Sequence, residues 1–112
     1  MHSSKRLGDK TEREAVALLR DMFGYDVKRE LGAGRAEDCG DLSGMPDLTV
    51  QIFGGVSHLV DIGLVRKPEE VERQRVNRGT TFAVTMVRIR GGAFRFVLLP
   101  SQFQALYLEA MS

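Results

Sequence analysis

Three groups of residues in this sequence have the types and spacing to do chemistry. The first is Gly40-Asp41-Leu42-Ser43-Gly44-Met45-Pro46-Asp47, two carboxylates in a tight Gly/Pro segment that leads into the alternating run Asp47 to Phe53. An Asp held at a strand end can offer oxygen to a hard cation such as magnesium. The same residue types also build ordinary turns. The second is Glu12, on one helical face with Val16, Leu19 and Phe23, so that it points toward the protein. A carboxylate there is costly unless it is paired, metal-bound or at the rim. A Glu in a first helical turn also serves the helix dipole. The third is Arg66, Lys67, Arg73, Arg75, Arg78, Arg88 and Arg90, in which Arg outnumbers Lys six to one. Guanidinium groups match phosphate geometry, so this stretch could track a nucleic-acid backbone. It could equally be a solvated helix face followed by the outer face of a hairpin.

The elements that must position these residues follow from periodicity. Asp9 with Glu12, and Thr11 with Glu14, are overlapping capping signals for a helix over 9–23 that Gly24 ends. Tyr25 to Leu31 reads as a short strand and Gly32 to Gly40 as a loop. Asp47 to Phe53 reads as a central strand paired with Tyr25 to Leu31, bounded by Pro46 and Gly54-Gly55. Residues 56–67 read as a short helix. Pro68 to Arg78 reads as a mostly solvated helix, with Pro and Glu at its start and Arg at its end. Thr81 to Arg90 and Ala93 to Leu99 flank Gly91-Gly92, a hairpin signal. Ser101 is placed to cap a last helix whose Phe103, Leu106, Tyr107 and Ala110 share a face. The order implies an α/β (α+β) domain, a mixed sheet packed by helices, over residues 8–112, with residues 1–7 a flexible basic tail.

At 112 residues with 43% hydrophobic content, the chain can bury one core without staples. Its single cysteine, Cys39, excludes an internal disulfide and suits a reducing compartment. His2 and His58 are isolated, and no apolar run approaches a membrane span. The net charge of +1 averages two unlike parts: residues 9–47 hold ten acids and six bases, residues 64–90 seven bases and three acids. Carboxylates for a cation beside cations for phosphate are what a metal-dependent nucleic-acid enzyme requires.

Taken together, these residues resemble the Holliday-junction-resolvase branch of the PD-(D/E)XK nucleases, especially small phage versions, over Gly8 to about Phe53. Gly8-Asp9-Lys10-Thr11-Glu12-Arg13-Glu14 resembles the family's opening helix, and Tyr25 to Gly34 its following strand and Gly-rich loop. Gly40-Asp41 and Pro46-Asp47 resemble the segment in which an Asp binds the metal. The resemblance implies a restriction-endonuclease-like fold and a magnesium site of Glu12, Asp41 and Gln51. Asp41 is preferred over Asp47 as the Asp ligand.

The next strand of the family carries Glu-x-Lys, and here those positions are Gln51 and Phe53. Gln51 keeps an oxygen but no charge. Phe53 cannot stabilise a developing oxyanion, and losing such a preorganised group typically costs about 10²–10³ in rate. Arg66 and Lys67 are the candidates for a migrated cation. The resemblance therefore implies a weak or inactive nuclease, retained for binding branched or duplex DNA through Arg66, Lys67, Arg73, Arg75 and Arg78, or for assembly with phage structural proteins. An active magnesium-dependent endonuclease and a head-tail-connector-type virion subunit are the alternatives. Homo-oligomerisation, no membrane association, and location in the host cytoplasm or the virion are expected.

Overall fold

The computed structural model describes residues 3–30 and 40–112, with side chains from Gly8 onward. Leu31, most of the expected 32–40 loop, Cys39 and the first two residues of the expected tail lie outside the described residues.

Helix α1 spans Ser3–Phe23 and so takes in residues expected in the basic tail. It ends where Gly24 turns left-handed (φ 76°) and donates its N–H to the Arg20 carbonyl at 2.8 Å. The expected caps lie inside this helix, because tertiary contacts use their side chains. Asp9 accepts from Arg29 at 2.8 Å, and Thr11 is 1% exposed, packed where only a glycine, Gly54, leaves room for it.

The short strands β1 (Lys28–Arg29) and β2 (Leu42–Ser43) pair antiparallel. Strand β3 (Leu48–Phe53) pairs in parallel with β4 (Phe82–Arg88), and β4 pairs antiparallel with β5 (Phe94–Val97). The first hairpin joins β3 through the Asp41 N–H, which donates to the Val50 carbonyl at 2.9 Å. The neighbour of β3 is therefore the Gly40–Asp41 segment rather than the expected 25–31 strand, which pairs instead with β2. Gly44 permits the tight turn: at φ 99° an added Cβ would collide with the backbone of Asp26.

A parallel pair needs a crossover. A 3-10 turn (Val56–His58), a π-helical segment (Leu59–Arg66) and α2 (Lys67–Arg78) supply it. The expected short helix over 56–67 thus takes two non-α forms. The second hairpin turns at Arg90–Gly92, as Gly91-Gly92 implied.

The result is an α+β domain with a mixed sheet and three α-helices. On one face of the sheet, Ala15, Val16 and Leu19 of α1 pack over Val27, Leu42, Val50, Ile52, Val84 and Met86. On the other, Thr49, Gln51, Thr85 and Val87 are buried beneath α2, whose own buried residues are Pro68, Val71 and Gln74.

Helix α3 (Pro100–Met111) departs most from expectation. Leu99 is its N-cap and makes no side-chain cap bond, so Ser101 lies within the first turn. The face of Phe103 and Tyr107 stays in solvent, at 60% and 54% exposure, and the residue the helix buries is Gln102. The Gln102 amide oxygen accepts the Ala83 N–H at 2.9 Å and its nitrogen donates to Glu72 at 3.1 Å. Pairing of β4 with β5 starts only at Thr85, so Gln102 continues the ladder where β5 has ended. Among the described residues no helix is long and apolar enough to cross a membrane.

Truncating this latch leaves a buried N–H unsatisfied, at a cost of about 1–3 kcal/mol. Gln102→Ala should lower the urea midpoint accordingly, with unchanged slope. An unshifted midpoint would remove Gln102 from the account of how α3 is held.

Candidate functional site

Asp41 and Asp47 stand at opposite ends of the β2–β3 turn and do different work. The Asp41 backbone is in the ladder and its carboxylate accepts the Ile52 N–H at 2.7 Å, so it lies beside the middle of β3. Asp47 adopts φ 55°, a left-handed conformation that Asp tolerates better than most residues. Its carboxylate accepts the Thr81 N–H at 2.7 Å and its carbonyl accepts the Phe82 N–H at 3.2 Å. Asp47 thus clips the start of β3 to the start of β4. The hydroxyl and N–H of Thr81 hold its carboxyl below the usual carboxylate range.

Glu12 is half-buried, as its position on the apolar face implied, and its partner is a cation. Arg29 donates Nε to Glu12 at 2.9 Å and a terminal nitrogen to Asp9 at 2.8 Å. Burial opposes the guanidinium charge, but these two carboxylates outweigh it and raise the Arg29 pKa further.

Gln51 is 4% exposed on the α2-facing side of β3. Its amide nitrogen donates to Glu70 at 3.0 Å, and Lys67 donates to the same Glu70 oxygen at 3.3 Å. The Gln51 amide oxygen is buried and has no hydrogen-bond partner among the described residues. Partial burial pushes the Glu70 carboxyl up, but the Gln51 amide and the Lys67 ammonium together hold it below its ordinary value. Phe53, two residues further along the same side, packs against Gly55 and Gly63, where a Cβ on Gly63 would meet the ring at 3.0 Å. Phe53, Arg66, Lys67 and Glu70 line one cavity of about 430 Å³ between the end of β3 and the crossover.

The structure thus brings Gln51, Phe53 and Lys67 together through Glu70, a residue the spacing had marked only as a dipole partner at the start of α2. The available signal was Lys67 followed by Glu70 one helical turn later. The other cations of the stretch are dispersed. Arg75 is held by Glu72 at 2.6 Å and the Thr80 carbonyl at 2.8 Å, Arg88 by Glu14 at 2.6 Å, and Arg73 opens on a separate cleft that also has Glu70 in its wall.

A hard dication needs several convergent oxygens, most of them anionic. One Glu12 oxygen is bonded to Arg29, one Asp41 oxygen accepts the Ile52 N–H, and Gln51 offers a neutral oxygen. Among the described residues no three His, Cys, Asp or Glu side chains gather as metal ligands. Compared with known proteins, the chain matches no family model, no curated protein and no solved structure.

Asp47 and Glu70 set the acid stability. Both have depressed folded pKa values, so their stabilisation is fully present above the unfolded values of about 3.9 and about 4.3. It is lost as pH falls through the lower folded values. Asp47→Asn should flatten the dependence of the urea midpoint on pH below about pH 4. A variant with the wild-type acid slope would show that the Thr81 clip carries no linked proton.

Proposed function

We propose that this chain is a DNA-binding domain built on the PD-(D/E)XK plan, resembling small phage Holliday-junction resolvases, that does not cut DNA efficiently. The observation that carries the reading is the pairing of Gln51 with Glu70 and Lys67. At the position where the resemblance places a metal-binding carboxylate, β3 presents a neutral amide, already engaged with a carboxylate whose charge Lys67 balances. Phe53 replaces the strand lysine with a ring packed on glycine, and Glu12 is neutralised by Arg29. The element order supports the scaffold half of the reading: a helix, a strand pair leading into β3, a helical crossover, then β4 parallel to β3. DNA binding is supported by exposed cations in two regions, Arg13, Arg20 and Lys28 on α1 and β1, and Arg66 and Arg73 on the crossover.

The test is cleavage of four-way junction and duplex DNA in magnesium or manganese. The wild-type protein should show little or none. Gln51→Glu with Phe53→Lys should introduce metal-dependent cleavage that Asp41→Ala abolishes. The structure adds a cost to this reversion. A second carboxylate at position 51 would face Glu70, and Phe53→Lys gives up about 1.5–3 kcal/mol of ring burial. Gln51→Glu alone should therefore be destabilised and should recover thermal stability on adding magnesium, whereas wild type should not respond. Strong cleavage by wild type, abolished by Lys67→Ala, would overturn the proposal in favour of an active enzyme using a migrated lysine.

A second reading, a self-assembling subunit, is favoured by α3. Phe103, Tyr107, Leu108 and Met111 are 54–66% exposed on a helix whose one charged residue is Glu109. Apolar surface of this kind marks interaction sites, and a second copy of the chain is the partner this reading requires. Concentration-dependent association that Phe103→Ser with Tyr107→Ser removes would support it. A monomer at all concentrations would end it.

A further inference from the structure

We infer that the DNA phosphates are held in the groove between α1 and β1 rather than along α2, an inference that rests on the DNA-binding reading above. The groove is a cavity of about 470 Å³ lined by Arg13, Val16, Ala17, Arg20, Lys28 and Arg29. Four of these six residues are cationic, and no carboxylate lines the groove among the described residues. Both cavities beside α2, by contrast, have Glu70 in their walls. Glu69, Glu70 and Glu72 alternate with the cations of that helix, and Lys67 and Arg75 are bound to two of them. An approaching phosphate meets a carboxylate in the wall of either cavity beside α2 and none in the wall of the α1 groove among the described residues.

The cations of the groove differ in availability. Arg13 is exposed and makes no ion pair or hydrogen bond among the described residues. Arg20 is fixed by its Nε–H, which donates to the Val27 carbonyl at 2.8 Å, while its terminal nitrogen is a loose 3.8 Å from Asp26. Lys28 stands 3.5 Å from the same Asp26. These Asp26 pairs are more than half exposed, a setting in which ion pairs contribute little and a phosphate can displace them. Arg29 is already committed to Asp9 and Glu12 and serves as a fixed part of the groove wall, not as a free cation.

The spacing selects a polyanion. Arg13 and Arg20 are seven residues apart on one helix, about 10 Å along its axis at about 1.5 Å per residue. A nucleic-acid strand presents successive phosphates along that distance, so each arginine can take its own. Val16 and Ala17 lie between the two arginines and give the groove an apolar floor on which a sugar can rest.

The test is the salt dependence of binding to a short duplex DNA, measured for wild type, Arg13→Ala with Lys28→Ala, and Arg66→Ala with Arg73→Ala. The groove variant removes two side chains that make no backbone hydrogen bond. It should lower the slope of log K against log salt by about 1.8, two contacts at about 0.9 each. The α2 variant should keep the wild-type slope. A slope loss in the α2 variant equal to or greater than that in the groove variant overturns the inference and leaves the DNA-binding reading standing. Absence of wild-type binding at low ionic strength overturns both. A readout independent of variants is the arginine Nε–H spectrum of the wild-type protein titrated with the same duplex. Arg13 and Arg20 should shift before Arg66 and Arg73, and the reverse order overturns the inference.

Discussion

The structure depends on a strand that has no solvent face. β3 runs between the Gly40–Asp41 segment and β4, and four of its six residues, Thr49 to Ile52, are buried. Val50 and Ile52 belong to the core under α1, and Thr49 and Gln51 must then lie under α2. A polar residue on that second face needs partners in the dry layer. Thr49 finds the Thr80 hydroxyl at 2.7 Å, and Gln51 finds Glu70. The register of the crossover helix is tied to this need: Pro68 and Val71 cover the strand while Glu70, one residue aside, reaches the Gln51 amide. A neutral amide at position 51 lets Glu70 approach, whereas a carboxylate there would repel it.

Parts of this arrangement were legible in the sequence because they rest on local periodicity. The apolar spacing gave Ala15, Val16 and Leu19 on the buried face of α1, although Phe23 and Met22 of the same pattern are half exposed at its end; Gly24 marked that end and Gly91-Gly92 the second hairpin. The Asp47–Phe53 run gave β3 to within a residue. What local pattern could not supply was the use of polar side chains across the fold. Asp9 and Thr11 read as helix caps because nothing nearby competes for them. In the fold they face Arg29 and Gly54, which arrive from other elements, and the helix continues past them toward its N-terminus. Asp47 was the less favoured of two candidate carboxylates in the sequence. The parallel placement of β4, which brings Thr81 to it, separates its role from that of Asp41.

The last helix illustrates the limit of amphipathicity as a guide. Phe103, Leu106, Tyr107 and Ala110 recur at helical spacing, which ordinarily means a face turned to the core. Here the sheet edge beneath α3 has a vacant backbone N–H at Ala83 beyond the end of β5, and an apolar face cannot satisfy it. Gln102 can, and it turns the helix so that the amide faces inward and the aromatic rings outward. The hydrogen-bond requirement of this edge position is met, and the two rings are left in solvent.

The same accounting separates the two cationic regions. Counted along the chain, bases are concentrated at 64–90 and acids at 9–47, which points to the second region as the phosphate-facing one. In the fold, Lys67 and Arg75 of α2 pair with carboxylates three residues away, whereas Arg20, Lys28 and Arg29 pair with Asp26, Asp9 and Glu12. On α2, Lys67 meets Glu70 and Arg75 meets Glu72 one turn away. On α1, Glu12 and Asp9 bond Arg29 and Glu14 bonds Arg88, and among the described residues no carboxylate lines the groove of Arg13 and Arg20. Surface potential follows from which charges are already partnered in three dimensions, and the linear excess of arginine is a poor guide to where phosphate would be received.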